Sequence, residues 1–205
     1  MSKKNIIVAA RIASMLLTPF YLPTMGIIIL LFFSYLNTFI WQVKLMLILM
    51  VYLFTILIPT LLIYHYRRYH GWTPIQLGQR ERRMMPYIIS IFSYLVCLYI
   101  MDLIHLPHLI TSMIMASLVI QIICSIINVW WKISTHTAGI GGVIGAIIAF
   151  SFILNFNPIS WLCVAIIFSG IVGSSRIILR QHSLTEVTSG LFIGIICAFL
   201  TITLM

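Results

Sequence analysis

Two histidines, two carboxylates and a group of arginines interrupt an otherwise apolar chain in three short clusters. The first is Arg80-Glu81-Arg82-Arg83-Met84-Met85-Pro86 and the second Lys132-Ile133-Ser134-Thr135-His136-Thr137-Ala138-Gly139. The third is Ser174-Ser175-Arg176, with His182 after five further residues and Glu186 after three more. These residue types suit phosphoryl transfer. Arginines present planar, bidentate donors to phosphate oxygens, and a neutral imidazole can attack phosphorus to form a phosphohistidine. His182 and Glu186 stand at i and i+4, so a helix would put them on one face. The carboxylate then holds one ring N–H, fixes the tautomer and leaves the other nitrogen to attack. His136 opens a helical run after a polar turn, where backbone N–H groups favour anions, and is the expected proton donor to the leaving oxygen. Phosphate would meet Arg176, the turn at Ser134 and Thr135, and one basic residue of 80–83. Arg83 is the first choice, Arg80 or Arg82 the next, and Lys132 a further ligand.

The elements that position these residues must lie in a membrane. The 205 residues are 62% apolar and only 7% charged, with a mean hydropathy of +1.15. A soluble domain carries about 25% charged residues, so a chain this apolar could not cover its surface in water. The net charge of +9, from 12 Lys/Arg against 3 Asp/Glu, would point to nucleic acid in a soluble chain. Here the basic residues fall between apolar runs, as topology signals or anion ligands, and no nucleic-acid partner is expected. A hydrocarbon core of about 30 Å takes roughly 20 apolar residues per helix. That ruler finds spans near 22–40, 45–64, 87–104, 109–131, 138–156, 159–175 and 187–205. Along residues 5–21 and the preceding Lys4, the residues Lys4, Arg11, Ser14 and Thr18 recur at helical spacing, which suits a helix lying in the interface. The expected fold is an all-α transmembrane helix bundle of six to seven spans, one domain over 1–205. Each cluster is separated from the next by a two-helix hairpin, which returns all three to one membrane face. That side would hold Lys3, Lys4, Arg11, Arg67, Arg68, Arg80, Arg82, Arg83, Lys132, Arg176 and Arg180, and the other Lys44 alone. The balance favours a cytoplasmic face, in a bacterial inner membrane, though arginines that bind substrate are not free to report topology.

With those residues in place, a family resemblance is visible. Ser175-Arg176, then His182 and Glu186 at the spacings above, resembles the third signature of the type 2 phosphatidic acid phosphatase superfamily, whose carboxylate is usually Asp. Ser134-Thr135-His136 resembles its second signature, usually Pro-Ser-Gly-His. The resemblance implies a membrane phosphatase acting on a lipid phosphate or polyprenyl diphosphate without metal or other cofactor. It makes His182 the nucleophile, His136 the general acid, Glu186 the orienting carboxylate and Arg176 a phosphate ligand. This chain departs from the pattern at Ile133 for Pro, Thr135 for Gly and Glu186 for Asp. The first signature, usually Lys-x6-Arg-Pro, is unmatched: Met85 precedes Pro86 and Gly78 stands where Lys would be. In the family the first two signatures share a loop, whereas here two spans intervene, which marks a divergent branch. Two other functions use the same features: a lipid phosphotransferase with the same site, or a non-catalytic transporter or scaffold component.

Other patterns read as structural. Cys97, Cys124, Cys163 and Cys197 are isolated within apolar runs and suit packing. Asp102, His105 and His108 sit in a tight turn with Pro107 and lack a fourth metal ligand. Gly141 and Gly145, with Ala138 and Gly142, form a small-residue stripe for close helix contact, as do Gly190 and Gly194.

A phosphate monoester carries nearly two negative charges at pH 7, and Arg176 answers one. Removing a second charged donor should cost about 2–4 kcal/mol of transition-state stabilisation, roughly 30- to 1,000-fold in rate. Alanine at the critical position among Arg80, Arg82 and Arg83 is expected to lose that much kcat, and lysine to recover only part. If all three alanine variants turn over like the parent, the second cation lies elsewhere.

Overall fold

The computed structural model of the chain describes residues 3–72 and 84–205. Their regular structure is helical: α1 Lys3–Leu16, α2 Tyr21–Phe33, α3 Trp41–Tyr52, α4 Ile58–Tyr69, α5 Met84–Leu103, α6 His108–Trp130, α7 Thr135–Leu154, α8 Ile159–Ile178 and α9 Leu184–Leu204. A π-helical turn, Leu53–Leu57, joins α3 to α4 in one 29-residue apolar helix. Six helices are long and apolar enough to cross a membrane, or seven if α1 and α2 together form one broken span. The protein is an all-α, membrane-embedded helix bundle.

The first expected span, near 22–40, is not one continuous helix. Its helical part, α2, has 13 residues and so reaches only about 20 Å, short of a hydrocarbon core. Ser34 ends it. The Ser34 hydroxyl donates to Leu30 O at 2.7 Å and accepts from Leu36 N at 3.2 Å, which diverts the chain into a 3₁₀ turn at Tyr35–Thr38. Serine competing for backbone partners in this way favours turns over helix interiors.

Two compact units make up the chain: Pro23–Lys132, and Met1–Leu22 together with Ile133–Met205. In the Pro23–Lys132 unit the buried core is built from Leu47, Val51, Tyr94, Met101, Ile110 and Ile114. The π-helical turn is tied down by hydroxyls. Thr55 donates to Val51 O at 2.8 Å and pairs with the Thr24 hydroxyl at 3.0 Å, while Ser93 donates to Phe54 O at 2.5 Å. Such bonds satisfy carbonyls in lipid, where water is absent. Lys44, the lone cation of its sequence-assigned side, is buried. Its Nζ donates to Asn37 O at 2.7 Å and Asn37 Oδ1 at 2.5 Å and lies 5.1 Å from the centre of the Phe32 ring. It closes the 3₁₀ turn locally.

In the other unit, α7 and α9 run parallel with their backbones in contact, and α8 returns the chain between them. A Cβ at Gly141 would collide with the carbonyl of Leu191, at Gly145 with that of Ile195, and at Gly194 with that of Ala138. At Gly190 it would lie 2.6 Å from Thr137 Oγ1 and 2.7 Å from Ser134 O. The glycine stripes therefore face each other along a seam, as small residues do where membrane helices approach closely. Both partners step forward together along the chain, 134 to 145 against 190 to 195. Parallel helices in this register bring their N-termini to the same end. Ala10 and Ser14, one turn apart, are the buried positions among the described side chains of α1.

Closing that seam with a methyl group should overpack it. Gly141→Ala is expected to cost about 1–3 kcal/mol, seen as a lower Tm in detergent. Gly170→Ala, on α8 with nothing within 4 Å of its added Cβ, should gain about 0.5–1 kcal/mol from helix propensity. Equal Tm values for the two variants would contradict the seam.

Candidate active site

The shared end of α7 and α9 carries two of the three sequence clusters. Ser134 is the N-cap of α7, in extended conformation, and its hydroxyl accepts from Thr137 N at 3.4 Å. Thr137 in turn donates its hydroxyl to Ser134 O at 3.0 Å. Ser134 is fully buried, while Thr135 and His136, the first two helical residues, are half-buried. On the neighbouring helix, Ser183 caps α9 and its hydroxyl accepts from Glu186 N at 3.3 Å. One backbone bond joins the two starts, Ser134 N donating to Glu186 O at 3.4 Å. Two helix N-termini side by side present a row of backbone N–H groups and the positive ends of two dipoles, a setting that favours an anion.

Arg176 arrives from the last turn of α8. The helix closes there in a Schellman motif: Gln181 N donates to Arg176 O at 3.1 Å and Arg180 N to Ile177 O at 2.9 Å. The motif needs a left-handed residue, and here it is Arg180, at φ 52°. The reversal delivers His182 directly before the Ser183 cap. His182 Nδ1 lies 2.5 Å from Glu186 Oε2, with the imidazole side chain 1% exposed and the carboxylate side chain 16%. A carboxylate only accepts, so Nδ1 is assigned as the donor, and the neutral ring then carries its lone pair on Nε2.

The pairing expected between His182 and Glu186 is present, but by a different geometry. His182 is not on the helix; it precedes the cap. Ser183 and Glu186 have the spacing of a capping box, in which the Glu side chain would bond back to the cap's own N–H. Here that carboxylate turns to the histidine. The i, i+4 spacing works because the cap folds the preceding residue back over the first turn.

Arg176 is buried, at 8% exposure, and its Nη1 donates to the Ser14 hydroxyl at 2.9 Å. Ser14 comes from α1, 162 residues away in sequence. Its place in the polar stripe of residues 5–21 suggested an outward, headgroup-facing position. Instead it points inward, while Arg11 is exposed and Thr18 half-buried. The spacing of Ser14 from Arg11 and Thr18 marks a helical stripe but carries no sign of its distant partner. Hydrogen bonds join Ser14 to Arg176 and Arg176 to Gln181, and the peptide bond leads on to His182. Further hydrogen bonds join His182 to Glu186 and Glu186 to Ser134, with His136 two residues further on.

Of the remaining expected ligands, Lys132 is half-buried and belongs to the other unit. Arg80, Arg82 and Arg83 lie outside the described residues. Arg180 is exposed. No group of three His, Cys, Asp or Glu side chains among the described residues is placed to hold a metal ion, and this includes the turn with Asp102, His105 and His108. Comparison of the chain with family models, curated proteins and solved structures gives no match in any of the three.

Arg180 offers a direct check of the reversal. A left-handed conformation costs an L-residue about 1–2 kcal/mol, against about 0.5–1 kcal/mol of extra chain entropy lost by glycine. Arg180→Gly is therefore expected to raise stability by up to about 1 kcal/mol, and Arg180→Val to lower it. Thermal unfolding in detergent should rank Gly above Arg above Val; the reverse order would reject the Schellman geometry.

Proposed function

We propose that this protein is an integral membrane phosphatase that hydrolyses a lipid phosphate or polyprenyl diphosphate through a phosphohistidine. The observation that carries the reading is the buried His182–Glu186 pair at the joined N-termini of α7 and α9, with buried Arg176 one short loop away. The resemblance of these residues to the third phosphatase signature supports the same chemistry. The substrate headgroup enters from the bilayer and is held by Arg176 and the backbone N–H groups around Ser134 and Thr135. His182 Nε2 attacks phosphorus in line. The P–O bond to the lipid breaks, and His136, protonated, donates its proton to the departing oxygen. Now neutral, His136 takes a proton from water as that water attacks phosphorus. The N–P bond breaks, inorganic phosphate leaves, and both histidines return to their starting states. Glu186 keeps the His182 ring oriented and stabilises its charge as the N–P bond forms. The charge balance of the sequence favours the cytoplasmic face of the membrane for this site.

Phosphate release from a panel of lipid phosphates by the purified protein in detergent tests this reading. Activity is expected in EDTA, with an acid-labile phosphoryl group trapped on His182. His182→Ala should lower turnover by at least about a thousandfold, as loss of a covalent nucleophile does elsewhere. Trapped label that persists in His182→Ala, or activity that EDTA abolishes and Mg²⁺ or Zn²⁺ restores, would reject the mechanism.

A further inference from the structure

The bond between Ser14 and Arg176 is unusual in its setting. Both residues are buried, at 6% and 8% exposure, and they come from opposite ends of the discontinuous unit. A buried guanidinium is costly unless its donors are satisfied. Because the guanidinium is planar, fixing Nη1 also fixes the directions of its other N–H groups. Ala10, one turn before Ser14, is buried at 5%, so α1 presents a small-residue face that lets the hydroxyl reach Arg176.

We infer that Ser14 is a positioning residue for the phosphate site. Its hydroxyl aims the Arg176 guanidinium, and α1 is thereby part of the catalytic apparatus although it carries none of the signature residues. This rests on the reading of Arg176 as a phosphate ligand. It adds that the ligand's orientation is set from α1.

Threonine and valine at position 14 have nearly the same shape and differ in the hydroxyl, so their comparison isolates the hydrogen bond. Ser14→Thr, Ser14→Val and the smaller Ser14→Ala would be compared in full-length protein in detergent. Two readouts are needed: phosphate release from a lipid phosphate, and the rise in Tm caused by orthovanadate, a phosphate mimic whose binding needs no turnover. A hydrogen bond to a charged group predicts that Ser14→Val and Ser14→Ala fall below Ser14→Thr by about 10- to 100-fold in kcat/KM. Their vanadate-induced Tm shift should also be smaller. A smaller shift in valine than in threonine supports the inference even if no lipid is hydrolysed. Equal values for threonine, valine and alanine in an active or vanadate-binding parent overturn it and leave the phosphatase reading standing. A parent that neither releases phosphate nor responds to vanadate overturns both.

Discussion

Backbone contact between α7 and α9 is the constraint on which the site depends. Glycines at 141, 145, 190 and 194 remove the side chains that would hold the two helices apart. Ordinary side chains keep helix axes about 8–10 Å apart, and the Ser134–Glu186 backbone bond would not survive such spacing at this end. Because the helices are parallel, the seam also fixes axial register. One residue of slip would carry Gly190 away from Thr137 and Ser134, and with it the place of the His182–Glu186 pair beside the start of α7. Packing deep in the apolar part of the unit therefore sets hydrogen bonds at its polar rim.

The electrostatic character of that rim follows from the same arrangement. Each helix start presents first-turn N–H groups, and the favourable energy of an anion at one such end reaches about 2 kcal/mol when partly buried. Arg176 adds a full positive charge, shielded from water. The Glu186 carboxylate is committed to His182 at 2.5 Å. That pairing gives the histidine a defined orientation.

Much of this architecture was legible in the sequence. The spans could be read because lipid demands long apolar runs, and the later five helices start and end within a few residues of the expected limits. The facing glycine stripes were legible because only small residues recur so regularly at four-residue spacing. The spacing of Arg176, His182 and Glu186 was informative because a short loop and a cap constrain it locally. What sequence reading missed depends on competition or on distance. At 22–40, apolar content predicted a span, but the Ser34 hydroxyl wins the local backbone partners and ends the helix. His182 was placed on a helix face because spacing alone does not distinguish a helical residue from one folded back over a cap. Ser14 has no periodic relation to Arg176, and their contact exists only once the unit has closed.

The discontinuity of that unit bears on how the protein is made. Residues 23–132 intervene between its two parts, so α1 leaves the ribosome long before its partner Arg176 exists. At about 5–20 residues per second, the 162-residue separation corresponds to a wait of about 10–30 s. During that interval Ser14 and the face around Ala10 sit in lipid or at its surface, and the entire inserted unit has time to fold. Arg176 enters the membrane late, as a charge that needs partners, and finds a waiting hydroxyl. Assembly order thus leaves the cationic site incomplete until the last helices have been inserted.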